Sequence, residues 1–230
     1  MSLATLPEPN EDVIVAREPV MGDPNAVRVL FHIRLALVIA ITDWVELGLK
    51  VGLPVDADLF EVLTQRAVIR EAEKLALTYL TGRVRTASQV RSMFKRKEVD
   101  DAVAAAVVKR LQARNIIDDE RYATWFVEQA GVRAGRQQLM AKLLRRGIER
   151  ETAKQVIDRH FTSDDELQAA RLIAEKYLRR HGRIEEYKDK MKLLQHLARR
   201  GFSQDVAMEI VKIIQNEDGN TGEASKDVFS

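Results

Sequence analysis

The chain has 230 residues and a mass of 26.1 kDa, with 46% hydrophobic and 31% charged side chains. That is enough to bury a core of one or two domains, and too apolar for a fibrous or wholly disordered protein. With no cysteine, disulfides, thiolate catalysis and cysteine-ligated zinc or iron–sulfur sites are excluded. The 4 histidines, His32, His160, His181 and His196, form no i, i+4 ligand pair for a metal. Lys+Arg 37 against Asp+Glu 35 leaves a net charge of +2, so the total carries no nucleic-acid or membrane signal.

Residues 1–26 hold one basic and five acidic side chains with Pro7, Pro9, Pro19 and Pro24, and read as a disordered acidic tail. They contain no apolar stretch of secretory length and are too acidic for a transit peptide, which predicts a cytoplasmic protein. Residues 27–56 read as a small β-rich segment. The alternation Val27-Arg28-Val29-Leu30-Phe31-His32-Ile33 and the apolar run Leu35 to Ile41 suggest a hairpin, although Arg34-Leu35 lacks positive-φ turn chemistry. Charges break this stretch, and its longest uncharged run, Leu35 to Thr42, falls far short of the roughly 20 residues of a membrane span.

From Asp58 to Ile214 apolar residues recur at three- and four-residue spacing, which predicts helix throughout. Residues 57–81 form a connecting helix. Sliding the remainder against itself by 49 and then 54 residues aligns Val90, Leu139 and Leu193; Phe94, Leu143 and Leu197; Val99, Ile148 and Phe202; and Val107, Val156 and Ile210. We read three tandem three-helix repeats, 82–131, 132–181 and a truncated 182–215, followed by a second disordered acidic tail over 216–230. Stacked units of this size bury what one cannot, and give an elongated, curved array with long faces rather than a closed catalytic pocket. Gly147-Ile148 and Gly201-Phe202 are helix stops of the Schellman type, whereas the first repeat has Glu98-Val99, which must either adopt a left-handed conformation or end its helix differently. Thr86 with Gln89 and Ser163 with Glu166 fit capping boxes, and Asp118 and Asp119 supply acceptors at another helix start.

Segment counts show what the total hides: residues 67–214 carry 31 basic and 21 acidic groups. The two positions before each helix stop are Arg96-Lys97, Arg145-Arg146 and Arg199-Arg200. Such pairs either complement the helix macrodipole or, recurring in register, form a stripe that meets an anionic partner; Arg133 and Arg136 extend it. The run Arg121, Tyr122, Trp125, Phe126 mixes a cation with aromatics. Helical spacing places Tyr122 and Phe126 in the core and leaves Trp125 as the exposed contact. No Walker loop, dinucleotide fingerprint, zinc-protease helix or nucleophile elbow occurs, so nothing argues for an enzyme or a cofactor.

The run Ala76-Leu77-Thr78-Tyr79-Leu80-Thr81-Gly82-Arg83-Val84-Arg85-Thr86, then Ile117 to Ala123, which matches a family segment L-D-D-x-R-F-A, and then Gly135 and Leu143-Leu144-Arg145-Arg146-Gly147-Ile148, resembles the RecX family of RecA regulators. The resemblance covers about Val27 to Ile214. It implies three tandem three-helix repeats in a curved right-handed-type array, lying in the groove of the RecA–DNA filament and restraining ATP hydrolysis, strand exchange and coprotease activity. Lys142 stands where the family commonly has glutamate, and Gln129 where it often has arginine. The expected partner surface is Arg96, Lys97, Arg121, Trp125, Arg133, Arg136, Lys142, Arg145, Arg146, Arg199 and Arg200, with Asp118 and Asp119 capping. The expected protein is a monomer with weak direct DNA binding, no metal and no membrane contact. A helical-repeat DNA binder without a RecA partner and a generic protein-interaction scaffold are the alternatives.

Overall fold

Apolar side chains at Ile14, Val27, Val29 and Ile39, all fully buried, build a small antiparallel sheet at the start of the chain. The computed structural model describes residues 12–223, with side chains through Glu217. Strands β1 (Asp12–Val20), β2 (Asp23–Phe31), β3 (Leu37–Ala40) and β4 (Pro54–Val55) are ordered β3-β2-β1-β4. The predicted pairing of the two apolar runs is present, with Val27 opposite Ile39 and Val29 opposite Leu37, but residues 32–36 connect them in place of a two-residue turn.

The tail expected over residues 1–26 is corrected from Asp12 onward, because Asp12–Val20 is a strand of this sheet; residues 1–11 lie outside the described residues. The acidic and proline content that suggested disorder has local explanations. Pro19 needs no donor on its outer side, since β4 pairs with β1 only at Asp12 and Val13. Asp12 is buried and accepts hydrogen bonds from the backbone N–H groups of Val13 (2.8 Å), Ile33 (3.0 Å) and Arg34 (2.8 Å). Burial by itself would raise its pKa, but these donors outweigh it and hold the carboxyl below its ordinary 3.8. A depressed folded-state pKa gives stability that is present above the unfolded value and lost as pH falls through the folded one. Asp12→Ala should therefore cost about 2–3 kcal/mol near neutral pH, and the difference from wild type should close as urea titrations are taken from pH 6 toward pH 2.5. A pH-independent difference would show that the carboxylate charge is not what the three donors hold.

The helices follow: α1 (Ile41–Glu46), α2 (Ala57–Leu80), α3 (Ala87–Arg96), α4 (Asp101–Ala113), α5 (Asp119–Ala130), a 3-10 turn (Gly131–Arg133), α6 (Arg136–Arg145), α7 (Arg150–His160), α8 (Ser163–His181), α9 (Tyr187–Arg199) and α10 (Gln204–Glu223). The second acidic tail is likewise corrected, since α10 runs through Glu223, while residues 224–230 lie outside the described residues.

Two compact units form, one from the chain up to Arg83 together with Val90–Ile116, the other from Val84–Gln89 and the chain from Ile117 on. In the first, Trp44, Leu49 and Leu63 close the core over the sheet, to which β4 adds Val55, and α2 packs on β3 and α4. In the second, one core runs from Tyr122 through Ile214. The positions aligned by the repeat are buried in all three units, apart from Val99, which is partly exposed.

The phase of the repeat differs from the expected 82–131, 132–181 and truncated 182–215. First and third helices pack together as α2 with α4, α5 with α7 and α8 with α10, so the groups are α2–α4, α5–α7 and α8–α10, and the last is complete. The helix stops at Glu98, Gly147 and Gly201 mark the second helix of each group and so aligned correctly. The first helices differ in length, 24, 12 and 19 residues, and share no marker that would have set the phase.

Glu98 takes the left-handed conformation at φ 56°, and the N–H of Val99 donates to the Phe94 carbonyl (3.1 Å), as Ile148 does to Leu143 (3.2 Å) and Phe202 to Leu197 (3.3 Å). The Thr86–Gln89 capping box is formed in both directions. The second box is one residue earlier than expected, Thr162 with Asp165. That shift releases Glu166 from capping its own helix and turns it toward α6.

Candidate functional site

Helix ends meet in the second unit in a repeated way. At the end of α9, the carbonyl of Arg200 accepts from the N–H of Gly135 (3.0 Å) and that of Gly201 from Gln137 (3.2 Å), seating this C-terminus on the start of α6. At the end of α6, the Arg146 carbonyl accepts from the Thr86 hydroxyl (2.8 Å), seating it on the start of α3. The negative end of one macrodipole thus faces the positive end of the next, and the basic pairs stand at those junctions.

The eleven candidate residues separate by what their side chains touch. Arg136 is not free: its Nε donates to Glu166 Oε2 (3.0 Å), another nitrogen to Asp158 Oδ1 (2.9 Å), a third to the Phe161 carbonyl, and the group lies over the Phe161 ring. Arg146 is likewise packed, with Nε donating to the Tyr122 hydroxyl (2.9 Å), a second nitrogen to the Lys142 carbonyl (3.0 Å) and its guanidinium 4.4 Å from the Phe126 ring centre. Both are corrections to the expected stripe, in which each counted as an open cation. They hold α8 to α6 and α6 to α5.

Arg121, Arg133, Arg145, Arg199 and Arg200 are exposed, and none of them pairs with a carboxylate among the described residues. Lys142 is half-buried and hydrogen-bonded to Gln138 (2.8 Å). Its pKa is pulled below the ordinary lysine value by burial first, then by the positive charges of Arg146, Arg145 and Arg200. Trp125 is 46% exposed beside buried Tyr122 and Phe126, as helical spacing predicted. Arg96 and Lys97 are exposed at the end of α3, in the first unit. Asp118 caps α5 by accepting from the N–H of Arg121 (2.8 Å), whereas Asp119 accepts from the N–H of Ala87 (2.8 Å) and so caps α3 instead.

Sequence reasoning missed a cleft of about 480 Å³ between the 3-10 turn, α8 and α9. Its lining includes Arg133, Lys176, Arg179, Arg180 and Arg200, and no carboxylate. The Tyr177 ring stacks on His181 at 4.1 Å and lies 4.8 Å from His196. Burial first, then Arg200, Arg199 and His181, pull the His196 pKa below its ordinary 6.5. The available signal was Tyr177 with His181 four residues on, but Arg179-Arg180-His181 reads equally as cations at a helix C-terminus. No helix among the described residues is long and apolar enough to cross a membrane.

Comparison with known proteins matches these helices to sequence families. Residues 72–111 match the RecX first three-helix domain and residues 164–211 the RecX third three-helix domain, ranges that fall on α2–α4 and α8–α10. Regulatory protein RecX of Thermobifida fusca is 30% identical over 143 residues, 61% of this chain and 77% of its own length. The proteins of the same name from Bacillus licheniformis and Lactococcus lactis are each 29% identical, and the chain spans 60% and 64% of their lengths. In fold, a crystal structure of regulatory protein RecX superposes with TM-score 0.77 at 22% identity, over 87% of this chain and 98% of that one. RecX from Lactobacillus salivarius superposes at 0.59, over 64% and 97%. Two of its three helical units match RecX domains in sequence, and most of its length is similar to named regulators of that kind: the chain belongs to the RecX family.

Proposed function

We propose that the protein is a non-enzymatic regulator that binds the RecA–DNA filament through the basic surface of its second unit and restrains RecA ATPase, strand exchange and coprotease activity in recombination and DNA repair. The observation that carries this reading is the set of exposed cations without a carboxylate partner at successive helix junctions, Arg145 on α6 with Arg199 at the end of α9 and Arg200 just after it, together with Arg133, Arg121 and Trp125. Cations left without carboxylate partners are available to the phosphates and carboxylates that such a filament presents together. Arg136 and Arg146 contribute by holding helices in place.

The clean test is Arg145→Glu with Arg199→Glu, which leaves the packed arginines untouched. Reversing Arg146 would strip Tyr122 and Phe126 of their cover and confuse binding with folding. In a titration of the single-stranded-DNA-dependent ATPase of RecA, the wild-type chain should inhibit at substoichiometric ratios. The double variant should need at least tenfold more protein, with unchanged helicity by circular dichroism. Equal inhibition by the variant would remove this surface from the reading. Unchanged ATPase together with tight binding to bare DNA would favour a DNA binder with no RecA partner.

A further inference from the structure

The cleft between the 3-10 turn, α8 and α9 has a composition that folding does not account for. Elsewhere in the same unit some exposed arginines find acids: Arg171 pairs with Glu175 (3.0 Å) and Glu217 (2.9 Å), and Arg159 with Glu120 (2.8 Å). Around the cleft Arg133, Lys176, Arg179, Arg180 and Arg200 have no carboxylate partner among the described residues. Five cations around one concavity repel one another, and the concave wall focuses their field on whatever enters. Helix polarity explains Arg179 and Arg180, near the end of α8, and Arg200, the C-cap of α9, but not Lys176 a turn earlier, nor Arg133 on the 3-10 turn.

The rest of the wall is apolar and aromatic. Leu172 is 51% exposed on α8, Val132 is 56% exposed on the 3-10 turn, and the Tyr177 ring is held edge-on to neither imidazole but stacked at 15° to His181 and tilted at 40° to His196. Flat, rigid faces beside guanidinium groups suit a ligand with a planar ring and an anionic tail, since arginine forks match phosphate oxygens and aromatic faces accept a base. A volume of about 480 Å³ admits one nucleotide unit. We propose that this cleft is a nucleotide-phosphate site, in which Arg133 and Arg200 grip the phosphate from either side and the base lies along Leu172 and the Tyr177 stack.

This goes beyond the regulatory reading, with which it shares Arg133 and Arg200, because it requires no RecA. It also makes binding proton-linked. The charged groups facing the two imidazoles are all cationic, Lys176, Arg179 and Arg180 on α8, Arg199 at the end of α9 and Arg200 after it, and Arg133 on the turn. An anion among them lowers the cost of protonating His196, so binding should tighten as pH falls from 8 to 6.

The phosphate could come from a strand or from a free nucleotide, and two probes separate these sources: a 15-residue oligodeoxythymidylate and ATP, each titrated without RecA by calorimetry. We expect at least one to bind and to weaken at least tenfold in Arg133→Ala/Arg200→Ala, with Arg171→Ala unaffected. For the oligonucleotide, the log–log salt slope should fall by about 1.4, the loss of two phosphate contacts at about 0.7 each. Binding of the oligonucleotide alone assigns a strand phosphate, and binding of ATP assigns a free nucleotide. The His196 imidazole resonance should report a raised pKa in the bound protein, and Arg180→Glu, at the exposed end of α8, repeats the test should the double variant misfold. Binding of neither probe, or binding indifferent to these substitutions with an unmoved His196, overturns the proposal. Because Arg145→Glu/Arg199→Glu spares the grip of Arg133 and Arg200, loss of RecA inhibition in that variant with nucleotide binding retained separates the two readings.

Discussion

Glu166→Ala should lower the unfolding free energy of the second unit by about 2–3 kcal/mol, the cost of taking one partner from a half-buried cation and the acceptor from a helix-terminal N–H. Glu166 is 5% exposed, and its two oxygens do separate jobs. One accepts from the backbone N–H of Arg136 (3.0 Å), capping α6 from another helix, and the other accepts from the Arg136 Nε (3.0 Å). Removing the carboxylate therefore strands a helix-terminal donor and a half-buried guanidinium together, and the remaining contacts to Asp158 and the Phe161 carbonyl cannot follow Arg136 outward without tearing it from the Phe161 ring. The chain has two tryptophans, Trp44 in the first unit and Trp125 in the second, so urea titration followed by Trp125 fluorescence in a Trp44→Phe background isolates the effect. Replacing both partners, Arg136→Met with Glu166→Leu, should recover a good part of the loss, since paired apolar groups strand no charge. A loss under 1 kcal/mol in the single variant would mean that water reaches this pair freely.

Gly201→Ala should cost about 3 kcal/mol, and Gly147→Ala somewhat less, through two effects acting at once. Both glycines have positive φ, 85° and 78°, where a Cβ meets its own carbonyl. Both also lie against another helix start: a Cβ at 201 would sit 2.4 Å from the backbone nitrogen of Gln138, and one at 147 would sit 2.2 Å from the Ser88 Cβ. Backbone cannot yield as a serine side chain can, so position 201 is the more demanding. Glu98 gives the control, because it has the same conformation in the first repeat while remaining exposed. Glu98→Gly should change stability by no more than about 1 kcal/mol, relief of the left-handed strain being largely offset by the freedom glycine gains in the unfolded chain. Thermal unfolding of the three variants checks the order, and equal costs at 147 and 201 would show that strain alone, not the helix junction, demands glycine.

That contrast explains why Gly147 and Gly201 were visible in the sequence as helix stops but not as junctions. The left-handed residue and the folded-back apolar neighbour are local, set within six residues, and so Phe94, Leu143 and Leu197 could be aligned by spacing. What lies opposite the glycine is 60 residues away in the chain for Thr86 and Arg146, and no local pattern encodes it. The same distinction separates the arginines. A pair at a helix C-terminus reads identically whether its side chains reach solvent or fold back, and only the positions of Tyr122, Phe126 and Glu166 decide that Arg146 and Arg136 are internal while Arg145 and Arg199 are not. Asp12 misled for a related reason: an acid near a chain end suggests a tail until its three backbone donors, two of them more than 20 residues distant, are brought to it.

By itself the sequence determined the helical character, the repeat, the buried positions and the family resemblance, because these rest on periodicity and on conformations that single residues impose. The tertiary structure decided which helices form a unit, which cations remain open, and that Arg133, Lys176 and Arg200 converge on one cleft with Tyr177. Those depend on side chains from separate elements meeting in space, where packing and the balance between internal partners and solvent choose among arrangements that are equivalent in the linear chain.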